Sequence, residues 1–392
     1  MHEENRIRKV KSLIEEYFHN QPFSVYLKEH FRNHPEMGSR DRRETREWTF
    51  NYFRIGLNLA ELPFEKKLAV ACFLCNNKIN PSLSYLIKTH SEFEEAEIAN
   101  PLLSKIESVK SKYPFFKIEN IFQMHELLSS EINKDKWFLS FLRKPSVWIR
   151  IRKLHKDEVI NELEKKEIVF SIDDDPLILS FESDPALDKT IAYQNGYFEI
   201  QDKSSQRVKE YFKSNPGEQW WDACAGAGGK SLLLKEDDRD VKIFATDIRM
   251  NILNTYNERM KKSGYKNFST EVADVSWPIL NFDKKFDGII ADVPCSGSGT
   301  WGRSPEWLLK NIKVRIDQHF IPLQRNIVTS ILPSLKEGFP LIYITCSVFK
   351  KENEENIQYF LEQLPLRLEK SAYLEGYHNN GDTLFVARFI KL

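Results

Sequence analysis

From Gln201 onward, short apolar runs alternate with stretches of helical periodicity. The apolar runs lie at Gln219–Ala223, Lys242–Thr246, Phe286–Ala291 and Leu341–Ile344. Strands that are buried on both faces of a parallel sheet have this continuous apolar character, and crossover helices supply the stretches between them. The alternation therefore predicts an α/β domain, with a parallel sheet wound by helices, over residues 201–392.

The first third of the chain has a different pattern. From Glu3 to about Leu128, apolar residues such as Ile7 and Val10 recur at helical spacing. This periodicity predicts an all-helical domain over residues 1–135.

Two segments of the helical domain carry polar or reactive side chains. The segment Ser39–Glu47 mixes basic and acidic residues at helical spacing, which predicts a solvated helix face with ion pairs. Cys72 and Cys75 lie in an apolar run without a second cysteine pair, so we expect buried structural thiols and no zinc site.

Residues 136–200 read as a small α+β module, with β-like runs at Ser146–Arg152 and Pro176–Phe181 on either side of a charged helix. The first run predicts that Arg150 and Arg152 point outward. Two roles remain open for them: they contact phosphate while an aromatic neighbour meets a base, or they protect an edge strand.

The composition excludes several classes of protein. The chain has 392 residues with 57 Lys+Arg and 57 Asp+Glu, so a uniformly basic nucleic-acid binder is ruled out. Five scattered cysteines argue against a disulfide framework. No apolar stretch approaches the length of a membrane span or a signal peptide, which predicts a cytoplasmic protein without a membrane partner.

A glycine-rich loop follows the first predicted strand of the α/β domain, in the segment Asp222–Ser231. A dinucleotide-binding loop would need glycine in place of Ser231, and a P-loop would need glycine in place of Cys224. Asp247 ends the second strand, 18 residues after Gly229, where a carboxylate typically binds ribose hydroxyls. A ribose-bearing cofactor without a pyrophosphate, such as S-adenosylmethionine, suits this pattern, and a purely structural turn is the alternative.

Two cysteines and an aspartate follow the next two strands, in Asp292-Val293-Pro294-Cys295 and in Thr345-Cys346-Ser347. Ligands of open α/β sheets bind at the carboxyl ends of strands, so we expect these side chains to share one crevice. Buried structural thiols are the alternative for either cysteine alone.

Methylation of a pyrimidine carbon needs this set of groups. Cytosine C5 is a poor nucleophile until a thiolate adds at C6. A carboxyl group near N3 and the exocyclic amine stabilises the adduct. A second thiol can assist release of the product.

The catalytic half resembles the RsmB/Nop/Sun family of RNA (cytosine-5) methyltransferases. The segments that resemble the motifs of this family are Gln201–Gln206, Asp222–Lys230, Asp292–Cys295, Thr345–Ser347 and Gly381–Phe389. The resemblance implies a Rossmann-like class I S-adenosylmethionine-dependent methyltransferase domain. It also implies that Cys346 is the nucleophile, that Cys295 promotes product release and that Asp292 contacts the cytosine edge. DNA cytosine methyltransferases use the proline-cysteine thiol as nucleophile, so the second cysteine favours RNA.

The resemblance further implies a cofactor site without a metal. The residues that it assigns to S-adenosylmethionine are Cys224, Ala225, Gly226, Ala227, Gly228, Gly229, Lys230, Asp247, Asp274 and Asp292. The chain departs from the family at Gly226-Ala227, where alanine-proline is usual, and a more flexible loop affects cofactor affinity. A second departure, Gly302–Glu306, lacks the usual paired arginines, so RNA contacts there are expected to differ.

Weaker resemblances cover the rest of the chain. Ser39–Arg43 and Trp48–Arg54 are similar to the NusB-like RNA-binding domain of the bacterial rRNA enzyme, and Trp148–Lys153 resembles the start of its small RRM-like module. We therefore expect a cytoplasmic monomer that methylates C5 of a cytidine in rRNA, with 16S rRNA as the expected substrate. The alternatives are a tRNA cytosine-5 methyltransferase and a non-catalytic ribosome-assembly factor that binds RNA.

Overall fold

A computed structural model describes residues 2–18, 21–277 and 284–392 of the chain. The chain forms two compact units. The helical unit comprises Met1–Glu126, Asn133–Lys144 and Trp301–Asn311, and the α/β unit comprises Leu127–Ile132, Pro145–Thr300 and Ile312–Leu392.

The helical unit confirms the periodicity of the first third of the sequence. Its seven longer helices in the described residues are α1 (Glu3–Glu15), α2 (Phe23–Asn33), α3 (Ser39–Arg54), α4 (Phe64–Cys75), α5 (Pro81–His90), α6 (Leu102–Lys112) and α7 (Lys134–Phe141). One core cluster joins the buried faces of α1, α2 and α3 through side chains such as Leu13, Leu27 and Phe53. The boundary predicted at residue 135 falls inside α7. The NusB-like character of the unit stays a prediction.

The charged segment forms the first half of α3, and its ion pairs are present. Arg40 pairs with Glu44 at 3.0 Å, and Arg6 pairs with Asp41 at 2.8 Å. Glu44 differs from the prediction because its side chain is buried, where it also contacts Arg6 at 2.9 Å. The segment therefore contributes a buried ion pair to the packing of the helices as well as charged groups to their surface.

The two cysteines of α4 are buried structural thiols, as predicted. Cys72 is fully buried and accepts a hydrogen bond from Asn51, with 3.8 Å between Nδ2 and Sγ. Burial raises the pKa of Cys75 to about 11.

A four-stranded antiparallel sheet in the α/β unit corresponds to the predicted α+β module. Its elements are β1 (Val147–Ile151), α8 (Lys156–Lys165), β2 (Ser171–Ile172), β3 (Ile178–Phe181), α9 (Ile191–Gln194) and β4 (Phe198–Ile200). The strand order is β2-β3-β1-β4, and the succession of strands and helices is that of a split βαβ motif. The RRM-like assignment stays a prediction.

The predicted outward orientation of Arg150 and Arg152 is wrong. Strand β1 is central, since it pairs with β3 and with β4, and both arginine side chains are over nine-tenths buried. Arg150 donates to Glu236 at 2.6 Å, and Arg152 donates to Glu199 at 2.7 Å. Because buried charges require partners, these arginines form internal ion pairs and are neither phosphate contacts nor guards of an edge strand.

The large sheet confirms the predicted α/β domain. Its elements are α10 (Lys203–Gln206), β5 (Gln219–Asp222), α11 (Gly229–Asp237), β6 (Lys242–Asp247), α12 (Met250–Lys262), β7 (Phe268–Val272), β8 (Gly288–Asp292), α13 (Lys313–Arg315), α14 (Ile321–Ile331), β9 (Pro340–Thr345), α15 (Glu354–Gln363), β10 (Leu366–Leu374) and β11 (Leu384–Lys391). The order is β10-β11-β9-β8-β5-β6-β7.

Strand directions place the ligand-binding edge. Strands β5 to β9 are mutually parallel, whereas β11 is antiparallel to β9 and β10 is antiparallel to β11. The chain runs outward from β5 to β6 and β7 on one side, and it continues through β8 and β9 on the other. This reversal puts the topological switch point between β5 and β8, where open α/β sheets bind ligands.

Packing in the sheet explains why β8 begins with glycine. A Cβ atom on Gly288 would lie 2.4 Å from the indole ring of Trp220 on the neighbouring strand β5. Trp220 is fully buried within the core of the sheet.

Among the helices of the described residues, none combines the length and apolar character needed to cross a bilayer.

Candidate active site

The glycine loop connects β5 to α11 and needs glycine at two positions. Gly226 and Gly228 have φ values of +52° and +85°, a region that side chains with a Cβ rarely adopt. A Cβ on Gly228 would also lie 2.7 Å from the ring of Tyr256. A side chain at position 228 would therefore be excluded both by the backbone conformation and by Tyr256.

Asp222, at the end of β5, has one carboxylate oxygen without a partner. Oδ2 accepts a hydrogen bond of 2.7 Å from Ser231, whereas Oδ1 is buried and has no hydrogen-bond partner among the described residues. Burial raises the pKa of Asp222 to about 7. An unpartnered carboxylate oxygen behind a glycine loop suits a ligand that carries a cationic group.

The raised pKa of Asp222 predicts a pH dependence of stability. The pKa is about 7 in the folded state and about 4 in an unfolded chain, so unfolding releases a proton between these values and the free energy of unfolding falls as pH rises. We expect the ligand-free wild type to lose about 3 kcal/mol more than Asp222→Asn between about pH 5 and pH 8. Denaturant titrations across this range measure the difference.

The exposed carboxyl of Asp240 offers a matched control. Asp240→Asn should unfold with the pH dependence of the wild type. Identical slopes for Asp222→Asn and the wild type would contradict the raised pKa.

Asp247 ends β6 and turns toward the glycine loop. It accepts a hydrogen bond of 3.0 Å from the Gly226 N–H and pairs with Arg249 through bonds of 2.9 and 3.0 Å. Burial opposes ionisation, but the bonds from Arg249 and Gly226 outweigh it and hold the pKa of Asp247 below its usual range. An ionised acceptor is therefore present at the tip of β6.

Asp274 follows β7, the strand next to β6, and is exposed. Its Oδ1 accepts hydrogen bonds from the N–H and the hydroxyl of Ser276, at 2.9 and 2.6 Å. The structure thus places Asp274 at the same edge of the sheet as Asp247.

Lys230 connects the glycine loop to the other side of the switch point. Its Nζ lies 2.9 Å from Asp292 Oδ2, at the end of β8, and 2.9 Å from Ser205 Oγ. Asp292 keeps about a third of its side chain exposed. A carboxylate fixed by a lysine, with one face open, can bind a polar ligand edge.

The two cysteines lie in contact at this edge. Cys295 Sγ is 3.2 Å from Cys346 Sγ, and the Cys346 N–H points at Cys295 Sγ from 3.3 Å. The contact with Cys346, together with burial, raises the pKa of the Cys295 thiol well above its usual range. Cys295 therefore stays a thiol at neutral pH.

Several supporting residues were not predicted as parts of the site. Ser205 and Gln201 belong to a recognised motif, and Gln201 bonds to the Gly229 carbonyl at 3.3 Å. Glu352 contacts the segments beside both cysteines, and Gln324 contacts the segment beside Cys295. No feature of the sequence indicated either residue. No group of three or more His, Cys, Asp or Glu side chains in the described part of the chain could hold a metal ion.

The strand order, the glycine loop at the switch point and the acidic strand ends define a Rossmann-like methyltransferase domain. Residues 210–389 match the family model described as 16S rRNA methyltransferase RsmB/F. This part of the chain, somewhat under half of its length, is therefore similar to the RsmB/F family.

Curated relatives extend the comparison. Ribosomal RNA small subunit methyltransferase B of Citrobacter koseri is 30% identical over 210 residues, which cover 51% of this chain and 48% of that protein. The protein of the same name from Yersinia pseudotuberculosis is 26% identical over 307 residues, covering 69% and 70%. The match thus spans about half the length of the first of these relatives.

Solved structures share the fold. The crystal structure of PH0851 has a TM-score of 0.70 at 23% identity and covers 98% of both chains. NSun6 from Pyrococcus horikoshii with SFG has a TM-score of 0.60 at 19% identity, covering 68% of this chain and 96% of that one.

Proposed function

We propose that this protein is an S-adenosylmethionine-dependent RNA methyltransferase that methylates C5 of a cytidine in 16S rRNA. The observation that carries the proposal is the contact of 3.2 Å between Cys295 and Cys346 beside Asp292. Two thiols and a carboxylate are the groups that methylation of a pyrimidine carbon requires. The RsmB/F family match and the names of the curated relatives support rRNA as the polymer.

The residues around the glycine loop fit the cofactor. We propose that Asp247 holds the ribose hydroxyls once the exposed Arg249 side chain moves aside. The unpartnered Oδ1 of Asp222 suits the amino group of S-adenosylmethionine. S-adenosylmethionine supplies an electrophilic methyl group when it is bound. The solved NSun6 structure with SFG, an analogue of this cofactor, supports the assignment.

We propose that the ten residues assigned to the cofactor by the family resemblance surround this position. Cys224, Ala225, Gly226, Ala227, Gly228, Gly229 and Lys230 form the loop, and Asp247, Asp274 and Asp292 lie at the strand ends.

Cys346 and Asp292 act on the cytosine. The Cys346 thiolate forms a bond to C6, and the electron pair of the C5–C6 double bond then makes C5 nucleophilic. Asp292, oriented by Lys230, contacts N3 and the exocyclic amine. After methylation, loss of the C5 proton to a base restores the double bond and breaks the bond between Cys346 and C6. Cys295 promotes this release.

The reaction geometry restricts the RNA. Attack at C6 comes from above the plane of the ring, so the base must leave its stack, and an unpaired loop cytidine is the substrate that we propose. The helical unit and the small antiparallel sheet are proposed to bind RNA. We further propose that the protein acts as a cytoplasmic monomer.

Identification of the labelled nucleoside tests the proposal. We would incubate the protein with labelled S-adenosylmethionine and with 16S rRNA from cells that lack this protein. The RNA would then be digested to nucleosides. The expected product is labelled 5-methylcytidine, with none formed on rRNA from wild-type cells because those sites are already modified.

Two other outcomes would contradict parts of the proposal. Label in tRNA but not in rRNA would contradict the polymer assignment. An unlabelled RNA pool with intact cofactor binding would contradict enzymatic activity and favour a scaffold in ribosome assembly.

A further inference from the structure

Glu352 is a fully buried carboxylate next to the two cysteines. It lies in the short turn that follows β9, and this turn is fixed to the strand. The Tyr343 hydroxyl donates to the Glu352 carbonyl at 2.7 Å, and Asn353 donates to the Ser347 carbonyl at 2.9 Å. The backbone at Glu352 is therefore held by β9 and by the segment that follows it.

The carboxylate of Glu352 contacts the neighbour of each cysteine. Oε1 accepts from the Ser296 N–H at 2.8 Å, and Oε2 accepts from the Ser347 hydroxyl at 2.6 Å. Ser296 follows Cys295 and Ser347 follows Cys346. One carboxylate thus connects the two segments that carry the thiols.

Gln324 strengthens this connection on the side of Cys295. Its Nε2 donates to Glu352 Oε1 at 3.0 Å and to the Pro294 carbonyl at 2.9 Å. The residues before and after Cys295 are therefore both fixed, one through Gln324 and the other directly by Glu352.

Burial of this carboxylate is costly. Glu352 is satisfied by hydrogen bonds, and it forms no ion pair with any described residue. A buried carboxyl group without a counter-ion persists only when its oxygens are well supplied with hydrogen bonds. These hydrogen bonds hold the Glu352 side chain against the segments of both cysteines.

We propose that Glu352 is a positioning residue that holds Cys295 and Cys346 in contact by spanning their two segments. The catalytic consequence rests on the proposed function: without the hydrogen bonds of Glu352 to both segments, Cys295 lies too far from Cys346 to promote release of the adduct. The connection between the two segments depends on the length of the Glu352 side chain and on its hydrogen bonds, and not on a negative charge.

Two substitutions separate reach from charge. Glu352→Gln keeps the length of the side chain. Its amide can donate to the Ser347 hydroxyl, which still accepts from the Phe349 N–H and then turns its own proton toward Ser296 Oγ, 3.1 Å away. Glu352→Asp keeps the charge but is one methylene shorter, so it cannot reach both segments. Glu354→Asp is the matched control, since the Glu354 carboxylate contacts Ser129 and Tyr373 and neither cysteine segment.

Disulfide formation measures the thiol contact without RNA or cofactor. An azo oxidant such as diamide takes one hydrogen from each thiol, so that Cys295 and Cys346 form a disulfide and the azo group becomes a hydrazine. Mass spectrometry of the joined peptides gives the rate. We expect Glu352→Asp to react at least tenfold more slowly than the wild type, and Glu352→Gln and Glu354→Asp to react no more slowly.

Turnover on RNA gives the second readout. A larger fraction of Glu352→Asp than of the wild type should be present as a covalent RNA adduct. Glu352→Gln should methylate RNA at a rate within about threefold of the wild type. The opposite pattern, with Glu352→Gln impaired and Glu352→Asp normal, would overturn the proposal. If no RNA is methylated at all, the proposed function fails, but the disulfide rates still decide whether Glu352 positions the thiols.

Discussion

Cys346→Ala is expected to lower methyl transfer to RNA by at least about a thousandfold, the scale on which removal of a covalent nucleophile acts. Without this thiol no bond forms at C6, and C5 of cytosine stays too weak a nucleophile. Cys295 does not replace it, because burial still raises the pKa of its thiol when the contact with Cys346 is gone. Single-turnover transfer of labelled methyl groups measures the loss.

Controls distinguish lost chemistry from lost structure. Cys346 is partly exposed, and its substitution removes one sulfur atom, so cofactor binding and the melting temperature should stay near those of the wild type. Cys75→Ala is a matched control, since this thiol lies in the helical unit, and it should retain activity. Normal turnover by Cys346→Ala on a proven substrate would refute the assignment of the nucleophile.

Much of the catalytic edge could be predicted from the sequence because parallel strands share the direction of their carboxyl ends. Asp247, Asp292, Cys295 and Cys346 each follow an apolar run, and the structure brings all four to one edge of the sheet. The sequence did not predict that the thiols touch. The positions of strand ends locate two side chains in the same region, but they do not determine the distance between the two sulfur atoms.

The orientation of Arg150 and Arg152 was beyond prediction for a physical reason. Alternation along a strand assigns residues to two faces, but it does not tell which face another element covers. Glu236 and Glu199 lie 86 and 47 residues away from these arginines. Partners so distant in sequence leave no local pattern, and the same holds for Gln324 and Glu352, which are 28 residues apart.

Lys230 shows how a motif residue can acquire a second role. The sequence placed it in the cofactor loop, whereas its Nζ reaches across the switch point to Asp292 at 2.9 Å. This ion pair fixes the orientation of the Asp292 carboxyl. Under the proposed function, Lys230 therefore couples cofactor binding to recognition of the base.

Cys295→Ala is expected to accumulate a covalent complex between the protein and its RNA. Cys346 remains free to attack C6, so the adduct forms and the methyl group is transferred, but release slows because the thiol 3.2 Å from Cys346 Sγ is gone. We expect at least about a tenfold rise in the fraction of protein that runs with RNA on denaturing electrophoresis, the lower end of the effect of losing one acid–base group.

The two cysteine variants together test the division of labour. The double variant with alanine at both positions should form no adduct, since the bond to C6 requires Cys346. The adduct of Cys295→Ala should contain a methylated base, because release follows methyl transfer. Equal absence of adduct in both single variants would mean that Cys295 takes part in the attack itself, and it would refute the division of labour between the two thiols.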